Sequence, residues 1–272
     1  EVGAKVCNLK AGDLVTRVGH PGADGINSGW GGFAEYGIAC DWRAMQADGL
    51  DTSEWKSHDV NQVLPEGFDP AASTMFITWR ETLSYVQRIG VGPGAAVLII
   101  GSGANGLAMV NHSVNLGAEP VVMIGSTGRA EKAAKVGCTA YIDYKADDAR
   151  AQALAMNASG FDVAVDMVGS PATAGLAHAC VADGGTLGIY GKDDVSSISL
   201  DTEAGFGTFT FYAGRYDEGE THAQVCDLVG AGKLDASVWL DLEHPFALED
   251  INDAFVAIKS RSQLKPLIRI LG

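Results

Sequence analysis

Four apolar runs dominate the middle of the chain. They are Ala95-Ala96-Val97-Leu98-Ile99-Ile100, Pro120-Val121-Val122-Met123-Ile124, Phe161-Asp162-Val163-Ala164-Val165-Asp166 and Gly185-Thr186-Leu187-Gly188-Ile189-Tyr190, with the shorter Ala140-Tyr141-Ile142-Asp143 between the second and third. Runs this apolar read as strands covered on both faces. Helical spacing fills the gaps, over 107–116, 129–136, 146–156 and 171–181. Ahead of the first run, residues 71–89 place Met75, Trp79, Leu83, Val86 and Ile89 on one stripe, which Gly90 and Gly92-Pro93-Gly94 then end. Such alternation predicts a parallel sheet with helices on both faces, and ligands at the carboxyl edge of its strands.

The flanks are less regular. Gly12–Val18 and Gly32–Ala39 read as short strands, Gly19–Gly32 as a glycine-rich loop, and Ala44–Leu64 as polar and irregular. Beyond Gly191 the pattern predicts a strand at Phe209–Tyr212, helices at His222–Val229 and Leu248–Ile258, and a last strand at Pro266–Ile270.

The 272 residues are 47% hydrophobic, enough for a large core. A net charge of −15 argues against nucleic acid as a partner, and no apolar run is long enough to span a bilayer. The five cysteines form no C-x-x-C cluster. They read as free thiols in a reducing, cytoplasmic setting rather than a clustered zinc site. Glu1 opens on what looks like the middle of a strand-and-turn unit, so the natural N-terminus is expected to lie upstream.

Chemistry enters at Gly101-Ser102-Gly103-Ala104-Asn105-Gly106, a G-x-G-x-x-G turn between the first buried run and a helix. The first glycine permits the turn, the second lets a pyrophosphate approach, and the third lets helix and strand pack closely. Free N–H groups at the helix start favour phosphate. A lone match is weak in a chain with 35 glycines, but here strand and helix flank it as a dinucleotide site requires. An NAD site usually carries a carboxylate at the end of the second strand. Ile124-Gly125-Ser126-Thr127 has none there. Gly125 and Ser126 leave room and donors for a 2′-phosphate, and Arg129 supplies positive charge, which favours NADP over NAD. The alternative is that Arg129 and Lys145 are ordinary surface charges and NAD binds loosely.

With these motifs in order, the chain resembles the medium-chain dehydrogenase/reductases of the alcohol dehydrogenase superfamily. The resemblance rests on Val2-Gly3, Gly12-Asp13-Leu14-Val15, Gly31-Gly32-Phe33-Ala34-Glu35-Tyr36, Gly90–Gly94, Asp166-Met167-Val168-Gly169-Ser170, Gly184-Gly185-Thr186 and Phe246–Phe255. It implies a Rossmann domain at 78–216, with 1–77 and 217–272 as parts of a GroES-like β-barrel domain that carries the catalytic groups. It also implies that Tyr144 belongs to the NADP corner, that Val168, Gly169, Ile189 and Tyr190 line the nicotinamide pocket, and that Lys265 reaches the cofactor phosphates. Lys265 as a solvated lysine stays the alternative.

The resemblance further implies hydride transfer between nicotinamide and a small alcohol or carbonyl compound, in a homodimer or homotetramer. Phe209–Tyr212 could offer the pairing edge or pack on its own domain. The usual zinc ligands fall upstream of Glu1, and the third falls near Phe76 or Ile77, neither of which can ligate. Glu81, His20 and His58 are weak substitutes, so no metal ligand and no catalytic residue is assigned in this chain. Two other readings stay open: a zinc-independent quinone or enone reductase, and a non-catalytic nucleotide-binding protein. Residues 1–272 alone are expected to bind cofactor with little or no turnover.

Overall fold

The computed structural model describes residues 1–23, 26–28, 33–191, 200, 201 and 203–270. The Gly31-Gly32 part of the resemblance lies outside the described residues. Two compact units form, Glu1–Arg80 with Glu218–Gly272, and Glu81–Asp217.

The first unit begins with turns. Strands β1 (His20–Ala23) and β2 (Ile26–Ser28) pair antiparallel. The stretch read as a glycine-rich loop is therefore in part a hairpin. The strand read at Gly12–Val18 reduces to a single bridge from Val15 to Val63. Thr16 Oγ1 donates to the Val60 carbonyl at 3.0 Å, and Arg17 takes a left-handed φ of 54°, which ends the extended run. The strand read at Gly32–Ala39 likewise reduces to one bridge, Ile38 to Gly19.

The segment read as irregular instead holds two short helices, α1 (Trp42–Ala47) and α2 (Thr52–Trp55). Their starts are written in the sequence. The Asp41 side chain accepts from Ala44 N, and Asp51 with Glu54 closes a capping box. Asp41 also accepts from Cys7 N, Asn8 N and Asn8 Nδ2, tying the start of the chain to α1. Burial pushes its carboxyl up, but these donors outweigh it and hold the group at about 2.

The stripe read at 71–89 is confirmed in its burial but not in its continuity. Helix α3 (Pro70–Ser73) ends before α4 (Phe76–Arg88) begins. Met75, Trp79, Leu83, Val86 and Ile89 are all buried. The chain passes into the second unit within α4.

That unit is a six-stranded parallel sheet. In chain order it runs β3 (Val97–Ile100), α5 (Ala104–Asn115), β4 (Val121–Gly125), α6 (Ala130–Lys135), β5 (Ala140–Asp143) and α7 (Ala149–Met156). It continues with β6 (Phe161–Asp166), α8 (Pro171–His178), β7 (Val181–Ile189) and β8 (Thr210–Tyr212). The strand order is β5-β4-β3-β6-β7-β8, every pair parallel. Order reverses beside β3, so the crevice for a ligand opens between the carboxyl ends of β3 and β6. Every residue of β3 and β4 is buried, as their apolar runs require. Val181 starts β7 instead of ending α8: it pairs with Phe161, and the register then shifts so that Val163 pairs with Thr186.

The chain then returns to the first unit with α9 (His222–Gly230), β9 (Phe246–Ala247), α10 (Ile251–Lys259) and β10 (Ile268–Arg269), which pairs parallel with β9. Among the described residues no helix is long and apolar enough to cross a membrane.

Candidate functional site

The glycine turn sits where β3 meets α5. Gly101 has φ +116°, and a Cβ on Gly106 would lie 2.0 Å from the Gly101 carbonyl oxygen, so both positions require glycine. A Cβ on Gly103 would meet nothing within 4 Å, which leaves open space above the second glycine. Gly103 caps α5 without a side-chain hydrogen bond. Turn, open approach and helix start together form a cradle that fits a pyrophosphate.

The corner after β4 is more occupied than its sequence implied. A Cβ on Gly125 would fall 2.4 Å from Ser102 Oγ and 2.6 Å from the Tyr141 hydroxyl. The space beside Gly125 is thus filled by Ser102 and Tyr141, not left for a phosphate. Ser126 N donates to Ser102 Oγ at 3.0 Å, and the Tyr141 hydroxyl donates to Ser126 O. These bonds fix the half-buried Ser126 at the rim beside half-buried Arg129. Tyr144 N donates to Gly125 O at 3.0 Å, while its ring is 51% exposed with the Lys145 ammonium 5.8 Å from the ring centre. Ser126, Arg129, Tyr144 and Lys145 therefore belong to one rim. Asp143 was missed in sequence. It accepts from Thr127 Oγ1 at 2.9 Å and from Lys145 N at 3.0 Å, bonds that lower its pKa and tie the two strand ends together. An acidic residue closing a predicted strand was the available signal.

On the other side of the crevice, Asp166 organises the loop after β6. It is fully buried and accepts from Val168 N at 2.9 Å, Gly169 N at 3.1 Å and Thr173 Oγ1 at 2.9 Å. The loop is thereby held open as a turn at the start of α8, whose cap is Ser170. Ile189 ends β7, and Tyr190 N donates to Asp166 O at 2.8 Å. Val168, Gly169, Ile189 and Tyr190 thus meet at one edge. Lys265 lies in the other unit, where its ammonium donates to Thr78 Oγ1 at 2.7 Å.

In that first unit a buried charged group surrounds Arg80. Its Nη2 pairs with Glu218 Oε1, and its Nη1 donates to the Val60 carbonyl at 3.0 Å and lies 3.4 Å from His222 Nδ1. Arg17 Nε pairs with the second Glu218 oxygen at 3.1 Å. His222 Nε2 faces the Val63 carbonyl at 3.0 Å, so this nitrogen carries the proton. A cleft of about 380 Å³ opens beside it, lined in part by Lys10, Asp13, Arg43 and Gln62. Cys226 Sγ lies 3.7 Å from His222, but burial pushes its thiol up, so it stays protonated.

Burial, the Arg80 and Arg43 charges acting with it, lowers the His222 pKa to about 4 from 6.5. The unfolded chain therefore takes up this proton first as pH falls. Stability from neutral His222 is complete above about pH 6.5 and drains as pH drops toward 4. At ~1.4 kcal/mol for each factor of ten, the upper bound is roughly 3 kcal/mol. Wild type is expected to lose about 2–3 kcal/mol more than His222→Gln between pH 7 and 4.5 in denaturant unfolding. Equal losses would disprove the linkage.

The place where the resemblance puts a third zinc ligand is apolar. Phe76 is buried against Phe68, Trp79 and His222, with ring centres 5.8, 5.9 and 6.0 Å away. Among the described residues no group of three or more His, Cys, Asp or Glu is placed to hold a metal ion. These residues do not fit a zinc site by themselves.

Sheet order, switch point and glycine turn define a doubly wound α/β protein of the Rossmann type. A model of the zinc-binding dehydrogenase family matches residues 104–212. L-Galactonate-5-dehydrogenase of Escherichia coli K12 is 28% identical over 197 residues, 72% of this chain and 58% of that protein. The structure of 2R,3R-butanediol dehydrogenase from Bacillus subtilis superposes with a TM-score of 0.76 at 24% identity, over 99% of this chain and 77% of that one. A chain from Sinorhizobium meliloti 1021, described as a zinc-binding dehydrogenase bound to NADP, superposes with a TM-score of 0.61 at 21% identity, covering 71% and 58%. The chain is thus similar to zinc-binding dehydrogenases over residues 104–212 and shares its fold with 2R,3R-butanediol dehydrogenase. It spans 58% of the length of its curated relative from Escherichia coli.

Proposed function

We propose that the intact protein is an alcohol-dehydrogenase-type oxidoreductase that uses NADP in preference to NAD, acting on a small alcohol or carbonyl compound. The observation that carries the reading is the turn at Gly101–Gly106, closed by two obligatory glycines and open above Gly103. When bound, the nicotinamide supplies or accepts the hydride. The chain's own residues would hold it. Gly101, Gly103, Ala104, Asn105 and Gly106 take the pyrophosphate; Ser126, Arg129 and Tyr144 form the corner for the ribose phosphate, with Gly125 packed beneath it against Ser102 and Tyr141. Val168, Gly169, Ile189 and Tyr190 frame the ring. The Glu81–Asp217 unit is then the cofactor domain and the other unit part of the catalytic domain. Pairing of two copies along the β8 edge, where Phe211 is 47% exposed, would form the oligomer.

Fluorescence titration of the intact protein tests the cofactor. NADPH is expected to bind at least about tenfold more tightly than NADH, and Ser126→Asp to remove that preference, since a carboxylate there repels the 2′-phosphate. Tighter NADH binding in the wild type would overturn the choice. The aromatic packing of Phe76 favours a second reading, a zinc-independent quinone or enone reductase. Stoichiometric zinc in the intact protein would overturn that one.

A further inference from the structure

Asn105 of the phosphate turn joins three polar groups that neither that turn nor the ribose corner uses: Glu81 of α4, Tyr190 just past β7, and Tyr216. The Tyr190 hydroxyl accepts from Asn105 Nδ2 at 3.2 Å, in the first turn of α5, and lies 3.5 Å from Glu81 Oε2. The other Glu81 oxygen accepts from the Tyr216 hydroxyl at 3.1 Å. The Tyr190 and Tyr216 rings stack with centres 5.9 Å apart, and Tyr85 meets Tyr190 edge-on at 5.0 Å. Glu81 is only 8% exposed. A carboxylate is thus held among phenols at the edge where the helix start, the β6 loop and the β7 end converge.

That location decides what the carboxylate can meet. A dinucleotide with its phosphates over α5 extends one half toward β4 and the other past β6 toward β7. Tyr190 is anchored at both ends of the second path, by its main chain to Asp166 and by its hydroxyl to Asn105. Burial and the neighbouring Glu81 raise the Tyr190 pKa, so its hydroxyl keeps its proton. Glu81 is acceptor-only when ionised and has about four lone-pair positions. The ring half of a nicotinamide dinucleotide ends in a carboxamide, whose NH2 is a donor.

We propose that Glu81, oriented by Tyr190 and Tyr216, determines specificity for the carboxamide of the nicotinamide ring by accepting a hydrogen bond from its NH2. The assignment rests on the dinucleotide reading above. It makes the site select an amide over an acid, because a ring bearing a carboxylate would face Glu81 charge against charge.

Three probes test this on the intact protein: NADP+, its nicotinic acid analogue, and 2′-phospho-ADP-ribose, which lacks the ring. Wild type is expected to bind NADP+ at least about tenfold more tightly than the acid analogue. Glu81→Gln should bring the two within about threefold, since a glutamine amide accepts from the one and donates to the other. Affinity for the ringless probe should stay within about twofold, reporting an intact phosphate site. Tyr216→Phe, which keeps the carboxylate and removes one orienting bond, should narrow the wild-type ratio by about threefold, and it carries the test if Glu81→Gln fails to fold. An unchanged ratio in a variant that still binds the ringless probe overturns the role of Glu81 and leaves the dinucleotide reading standing. Failure of wild type to bind the ringless probe overturns both.

Discussion

Glu218→Ala is expected to destabilise the first unit by about 3–5 kcal/mol, the largest effect of any single side chain considered for that unit. Glu218 sits between two guanidinium groups, Arg17 at 3.1 Å and Arg80, which has no solvent exposure. Burial pulls the Arg80 pKa down and the Glu218 charge opposes it. A guanidinium does not give up its proton inside a protein, so removing the carboxylate leaves a buried charge without the counter-charge it pairs with. The Val60 carbonyl and His222 Nδ1 accept from Arg80 but carry no formal charge to replace it. Urea unfolding at pH 7, followed at a signal from the first unit, measures the loss. Glu218→Gln separates charge from volume: it keeps the shape and one acceptor for the two guanidiniums but not the charge, so a cost near that of alanine assigns the effect to the lost carboxylate rather than to a cavity. A loss below about 1 kcal/mol for the alanine variant would mean that water or relaxation compensates Arg80.

The same residue shows where sequence reading stops. The sheet was legible because strands buried on both faces must be apolar throughout, as Val97–Ile100 and Val121–Ile124 are. The stripe Met75–Ile89 was legible because helical period exposes it. Helices α1 and α2 were hidden because six and four residues are too short to display a helical period, although their Asp41 and Asp51 caps were readable. The glycine turn was local and could be read residue by residue. The Glu81 cluster could not, since its members stand 109 and 135 residues apart in sequence. Gly125 was read as open space because glycine lacks a side chain, yet Ser102 and Tyr141 fill that space from neighbouring segments. Sequence therefore carries the parts of this site set by backbone conformation. It carries poorly those made by side chains that converge only after the sheet has formed.

Gly106→Ala is expected to cost about 3 kcal/mol or more in the Glu81–Asp217 unit and to weaken dinucleotide binding at least tenfold. Its Cβ would stand 2.0 Å from the Gly101 carbonyl oxygen and 3.1 Å from the carbonyl carbon. Both are backbone atoms of the turn itself, so no rotamer change relieves the clash. The turn must widen, or α5 must move away from β3, where Leu107, Ala108 and Met109 are fully buried. Gly103→Ala supplies the contrast. Nothing lies within 4 Å of its Cβ, and Gly103 has a φ of −74° that alanine adopts freely. Its stability should stay within about 0.5 kcal/mol of wild type, while the new methyl occupies the space through which a pyrophosphate would approach. Thermal unfolding and dinucleotide titration of both variants then separate two roles of one motif. Gly106 holds the turn in shape and Gly103 keeps its surface clear. A Gly106→Ala protein that unfolds at the wild-type midpoint would mean that the turn relaxes at no cost. A Gly103→Ala protein that binds as wild type does would place the phosphates away from this turn and remove the main support for the cofactor reading.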